Sequence, residues 1–277
     1  MPDRGGESQH ESIRFENGMG DDVRGWPGGD AGRTGGGVVG DRSGGRVELV
    51  LTNDDGVDAP GLTALVAATE SLGLRRLVVA PAGPYSSCSH TITTHRPLVI
   101  CRRDGCRIAV EGSPADCVRV ALHHLAPDLT CVIAGINAGG NLGSDVYHSG
   151  TVAAAREAAL HGRPGIAVSQ YLVRGRAIDW DRAARWAGGV IQTLLERPWE
   201  PRTLWNVNLP HPEPGGADPE VVECPLDPSP LPLDFRLEPD GSAAHYAGNY
   251  QQRQRVPGGD VEVCFSGQIA VTLLRLG

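Results

Sequence analysis

The chain of 277 residues predicts an α/β fold: a mostly parallel sheet covered by helices on both faces, with a β-rich C-terminal extension. Three observations carry this. Short apolar runs alternate with helical patterns from residue 46 to 209. Several of those runs end in loops rich in Asp, Ser, Asn or Gly. Beyond Pro210 the texture changes to Pro, Gly and Asp with weak β signals. Strands spaced by helices imply βαβ units and therefore parallel pairing.

Taken in order, residues 1–45 are Gly-rich and lack apolar periodicity, so they are expected to be disordered. Val47, Leu49, Val50 and Leu51 read as a buried strand running into Asn53-Asp54-Asp55-Gly56, with a helical pattern from Leu62 to Leu72. Leu77–Pro81 is a second strand, followed by a polar loop over Ala82–Ser89. Thr91–Cys101 alternates and reads as β-rich, with Arg107–Val110 as its hairpin partner. A helix over Cys117–Leu125 opens with Ser113 as N-cap, Pro114 at the first position and Asp116 at the positive end of the dipole. Leu129–Ala134 is a third strand, ending in the glycine-rich loop Gly135–Gly143. Ser149-Gly150-Thr151 precedes an Ala-rich helix over 152–161, and Gly165–Ser169 is a fourth strand. Asp179–Glu196 is amphipathic, with Trp180, Ala183, Ala187, Val190, Ile191 and Leu194 on one side. Trp205–Leu209 is the fifth strand and Ile269–Leu274 the last. Residues 210–277 are thus an irregular β-rich extension, an oligomerisation arm whose final strand returns to the core.

Composition narrows the function. A net charge of −8 argues against a nucleic-acid duplex or an anionic membrane surface as partner. Every basic residue is Arg, which removes a lysine Schiff base and a P-loop lysine. No run approaches the roughly 18 apolar residues of a membrane span. The N-terminus lacks an apolar segment and is not a secretory signal. Seven scattered Cys with no Cys-x-x-Cys pair make a structural zinc site improbable and fit a reducing cytoplasm.

The chemistry sits on strand-to-helix loops, where open α/β sheets bind ligands. Asp55-Gly56 would also suit a type I′ hairpin turn, but a helix rather than a strand follows. Adjacent Asp54 and Asp55 repel each other unless a cation or proton intervenes. Ser86 and Ser89 on the second loop, and Asn137 and Asn141 on the third, complete an all-oxygen set that suits a hard divalent ion. At the helix start, Ser149, Gly150 and Thr151 offer backbone N–H groups, hydroxyls and the positive dipole end, a grip for phosphate. Phosphoryl chemistry follows, with metal-activated water attacking phosphorus. A plain N-cap role for Ser149 remains the alternative. Asp54 as a nucleophile forming an aspartyl-phosphate is a second route. His148, beside this loop, reads as a surface or supporting residue.

Leu51-Thr52-Asn53-Asp54-Asp55-Gly56-Val57-Asp58-Ala59-Pro60-Gly61 resembles the opening signature of the SurE family of 5′/3′-nucleotidases. Val79-Ala80-Pro81 with Ser86, Gly112-Ser113-Pro114-Ala115-Asp116-Cys117, Ala134–Gly139 with Asn141-Leu142-Gly143, and Tyr147–Ala155 follow in that family's order. The resemblance implies a Rossmann-like core over residues 46–209 and removal of phosphate from nucleoside monophosphates or another phosphomonoester. It implies one divalent ion, Mg or Mn, on Asp54, Asp55, Ser86 and Asn137, with Asp54 and Asp55 as the catalytic pair. Phosphate and substrate contacts fall on Asn53, Asn141, Ser149, Gly150 and Thr151. A homodimer or tetramer is the expected assembly. The loop Ala82-Gly83-Pro84-Tyr85 and the pair Ser87-Cys88 depart from the family pattern. A catalytically weak phosphate sensor on the same fold is the competing reading. A dinucleotide-binding oxidoreductase is disfavoured by the missing Gly-x-Gly-x-x-Gly.

Overall fold

The strand β1 (Leu49–Thr52) is wholly buried and lies inside a nine-stranded sheet, next to its central strand. The computed structural model describes residues 48–85, 89–103 and 106–277. The expectation for residues 1–45 therefore lies outside the described residues.

After β1 come α1 (Pro60–Ala68) and β2 (Arg76–Pro81). The hairpin β3 (Ile100–Arg102) and β4 (Arg107–Val110) leads to α2 (Pro114–Val120), which continues as a π-helical turn over Ala121–Leu125. Then follow β5 (Cys131–Ala138), α3 (Gly150–Leu160), β6 (Gly165–Gln170), α4 (Trp180–Leu195) and β7 (Thr203–Leu209). The remainder holds β8 (Val221–Glu223), β9 (Phe235–Leu237), β10 (Ala244–Tyr246), α5 (Asp260–Phe265) and β11 (Ile269–Arg275). The large sheet runs β3-β4-β2-β1-β5-β6-β7-β11-β8, and β9 pairs with β10 in a separate hairpin.

Pairing from β4 across to β7 is parallel throughout. At the edges β3 runs antiparallel to β4, and β11 antiparallel to β7. Each buried helix face explains its layer. Leu62 and Leu65 of α1 share one core with Ala183, Ala187, Val190, Ile191 and Leu194 of α4. Cys117 and Val118 of α2 pack with Ala154 and Ala158 of α3 on the other side of the sheet. Truncating a leucine such as Leu65 to Ala would cost about 2–5 kcal/mol in such a core.

Two glycines set how closely helices approach strands. A Cβ on Gly61 of α1 would sit 1.9 Å from the Ile136 carbonyl oxygen in β5. A Cβ on Gly165 of β6 would sit 2.2 Å from the Ala155 carbonyl oxygen in α3. Only hydrogen fits at either place, so the start of α1 and the middle of α3 are drawn tight against the sheet. Ser113 caps α2 as expected: its Oγ accepts from Asp116 N, and Asp116 Oδ2 accepts from Ser113 N.

The stretch 91–99 differs from its β-rich expectation, since only Ile100–Arg102 joins the sheet. The Thr93 backbone N–H donates to Asp116 Oδ1, and its hydroxyl to Oδ2, which takes this segment out of strand pairing. The helix α5 was unexpected. No helix among the described residues is long and apolar enough to cross a membrane.

Candidate active site

Because β1 pairs with β2 on one side and β5 on the other, its loop is flanked by theirs. The chain turns to opposite sides of the sheet here, the place where such folds bind ligands. Asn53 shapes the turn. Its Nδ2 donates to the Gly56 carbonyl at 2.8 Å, and its Oδ1 accepts from Gly56 N at 3.2 Å. One amide N–H and one oxygen lone pair thereby hold the loop, and the second N–H is left over. Tyr85 N donates to the Asp54 carbonyl at 2.7 Å, tying the second loop to the first.

Asp54 is only 6% exposed, and the Thr151 hydroxyl donates to its Oδ1 at 2.5 Å. Burial pushes the Asp54 carboxyl up, the Thr151 bond pulls it down, and the Asp55 charge pushes it up again, leaving it near 6. Half-buried Asp55 accepts a long contact from Ala138 N at 3.4 Å. The neighbouring Asn137 donates through Nδ2 to the Gly139 carbonyl at 2.8 Å, which leaves its amide oxygen for a ligand. The first loop thus meets both the end of β5 and the start of α3.

Ser149 caps α3, its Oγ accepting from Val152 N at 3.0 Å. Capping uses an oxygen lone pair and leaves the O–H proton for a ligand, so cap and phosphate donor are compatible. The first-turn N–H groups of α3, including those of Gly150 and Thr151, belong to the unpaired set every helix start presents. Asn141 is held by a buried polar network. Its Nδ2 donates to Ser169 Oγ, its backbone N to Asn208 Oδ1, and its carbonyl accepts from Asn206 and Asn208. Ser86 lies outside the described residues. Among the described residues no group of three or more His, Cys, Asp or Glu could hold a metal ion. A cation here would rest on two carboxylates and neutral oxygens, a donor chemistry that fits a hard divalent ion.

Residues 49–223 match the family model described as Survival protein SurE. This chain belongs to the SurE family. A relative from Nostoc sp. (strain PCC 7120) is 49% identical over 228 residues, covering 82% of this chain and 99% of the relative. The 5′-nucleotidase SurE of Paramagnetospirillum magneticum is 37% identical, covering 82% of this chain and 89% of its own. The crystal structure of the SurE protein from Aquifex aeolicus superposes with a TM-score of 0.71 at 29% identity, covering 83% of this chain and 94% of that one. The mostly parallel α/β sheet read from the sequence is the SurE fold.

Several residues of this SurE site escaped sequence reasoning. Asn206, Asn208 and Ser169 hold the Asn141 loop. Asn206-Val207-Asn208 resembles a SurE motif in the sequence, but its tie to Asn141 is long-range, and Ser169 shows only as a polar residue in an apolar strand. Glu157, 3% exposed within an alanine-rich helix, accepts from three basic side chains. A lone carboxylate in an apolar helical face was its signal.

Proposed function

We propose that this protein is a divalent-metal-dependent phosphatase that removes phosphate from nucleoside monophosphates. SurE relatives carrying the name 5′-nucleotidase support the phosphomonoesterase class. The observation that carries the site is the Thr151–Asp54 hydrogen bond, which joins the carboxylate pair to the helix start.

Asp54, Asp55 and Asn137, with Ser86 by family resemblance, would hold one Mg or Mn ion. Bound there, the ion would supply Lewis acidity at a phosphoryl oxygen and lower the pKa of a water. The residues do the rest. The Thr151 hydroxyl fixes the Asp54 carboxylate through Oδ1 and leaves Oδ2 for the cation or a water proton. Ser149 and the first N–H groups of α3 would grip the phosphate oxygens, where the dipole favours negative charge. The Asn53 amide keeps the carboxylate turn closed, and the Asn141 network fixes the glycine-rich loop. The described cysteines are all free thiols, which supports a reducing cytoplasm. Exposed Leu233, Phe235, Leu237 and Tyr246 on and beside the β9–β10 hairpin support self-association, as a dimer or tetramer.

Phosphate release measured across nucleoside 5′- and 3′-monophosphates and simple phosphomonoesters tests this reading. Turnover of at least one nucleotide class well above the simple esters is expected. Tight phosphate binding without turnover would establish the sensor reading instead.

A further inference from the structure

Glu157 lies two turns inside α3, in a helix that is otherwise almost wholly Ala and Val on its buried side. A carboxylate taken from water needs partners, and this one has three. His90 Nε2 lies 2.6 Å from Oε2, Arg119 Nη1 2.8 Å from Oε1, and His161 Nε2 2.9 Å from Oε1. Burial raises the Glu157 carboxyl, yet these hydrogen bonds outweigh it and hold it down near 2. An ionised carboxylate only accepts, so His90 must donate through Nε2.

The three partners do different work. Arg119 belongs to α2, which already packs on α3, and His161 caps the end of α3 itself, so neither bond brings in a new segment. His90 belongs to the loop after β2, four residues beyond Ser86. Its neighbour Ser89 is pinned as well: Ser89 N donates to the His148 carbonyl at 3.2 Å, and Ser89 Oγ to the Tyr147 carbonyl at 2.8 Å. Ser89 also holds a positive φ of 52°, a conformation that non-glycine residues keep only where the surroundings enforce it. The near side of the same loop is tied to Asp54 through Tyr85 N.

From this geometry we infer that Glu157, acting through His90, is a positioning residue that clamps the end of the β2 loop at Ser89 and His90 onto α3 and so steadies the Asp54–Asp55 turn against the phosphate-gripping helix start. The inference deepens the phosphatase reading and rests on it for the coupling to metal. The clamp itself does not need that reading. Neither residue touches substrate; the pair acts on where the donors stand.

Amide hydrogen exchange in the metal-free protein reads the clamp directly. Parent, His90→Ala, His90→Gln and Arg119→Met are compared over the segment 89–93, alongside thermal melting. His90→Ala should speed exchange there about tenfold. His90→Gln, whose amide nitrogen reaches about as far as Nε2, should restore most of the protection. Arg119→Met should lower Tm while leaving that segment protected. Binding of Mn(II) alone, followed by electron paramagnetic resonance, reads the coupling: His90→Ala should weaken it about tenfold, and Arg119→Met should not. At saturating Mn(II) the kcat of His90→Ala should return close to that of the parent. Unchanged exchange in His90→Ala, or equal loosening by Arg119→Met, overturns the clamp. Faster exchange with unaltered Mn(II) affinity overturns its link to the site. A parent protein that binds no Mn(II) overturns the metal reading, while the exchange data still decide the clamp.

Discussion

Thr151 Oγ1 and Asp54 Oδ1, 97 residues apart in the chain, share a 2.5 Å hydrogen bond that joins the two halves of the site. The bond lowers the Asp54 carboxyl against the upward push of burial and of Asp55. Replacing Thr151 with Val keeps the shape and removes the donor. Asp54 then rises further, so in the metal-free protein its titration, followed by carboxyl NMR, should move to higher pH. Activity near neutrality should fall by about tenfold or more. An Asp54 titration that stays in place in the metal-free variant would show that the bond does not govern ionisation.

Asp54 also predicts a trade between stability and activity. Its folded pKa, near 6, exceeds the ordinary value of 3.8. The sign is that of a raised pKa: the contribution to stability is greatest below pH 3.8 and is lost as pH rises through about 6. At pH 7.5 the metal-free protein therefore carries an unfavourable buried charge. Asp54→Asn should remove it, abolishing phosphatase activity while stabilising the metal-free protein by about 1–3 kcal/mol. Thermal melting of chelated parent and variant at pH 5 and 7.5 checks this. The gain should be larger at pH 7.5.

The carboxylate loop was legible because its signals are local. Leu49–Leu51 is an unbroken apolar run, Asp54-Asp55-Gly56 follows at once, and Pro60 opens a helix. Ser113 announced its cap by residue type and position. What stayed hidden depends on long-range partners. Thr91–Val99 has the alternation of a strand, but the distant Asp116 carboxylate takes the Thr93 N–H that a ladder would need. The helix α5 spans six residues in a Gly- and Pro-rich region. It is held by burial of Val261, Val263 and Cys264, and by Asp260 accepting from Gly143 N and Asp227 N. None of that shows in periodicity. The pairing of Glu157 with His90 is equally non-local.

Glu157 predicts acid sensitivity of the fold. Its carboxyl is held down near 2 from 4.5 once the bonds from His90, Arg119 and His161 have outweighed burial. A depressed pKa contributes stability above pH 4.5 that is lost as pH falls through about 2. Glu157→Gln should therefore flatten the loss of stability between those limits. At pH 7 it should cost about 1–3 kcal/mol, since hydrogen bonds to a charged group are replaced by neutral ones. Urea unfolding at pH 3, 4 and 7 measures both effects. Parallel curves for parent and variant would refute the assignment.

Gly61→Ala should be among the most damaging small substitutions in the chain. The new methyl would meet the Ile136 carbonyl oxygen, forcing α1 away from β5 and with it the loop that carries Asp54 and Asp55. Overpacking of this kind costs about 1–3 kcal/mol or more. Gly189→Ala in α4, where nothing lies within 4 Å of the added atom, should be neutral or slightly stabilising. Thermal melts of the two variants give the comparison.

The most direct test of a single cation held between Asp54, Asp55 and Asn137 beside the start of α3 is phosphate release from a nucleoside 5′-monophosphate, followed through chelation and metal return. In the parent protein, turnover should vanish with EDTA and recover with Mn(II) or Mg(II), and in Asp55→Asn it should not recover. Undiminished hydrolysis after complete chelation, or full recovery in Asp55→Asn, would contradict the account.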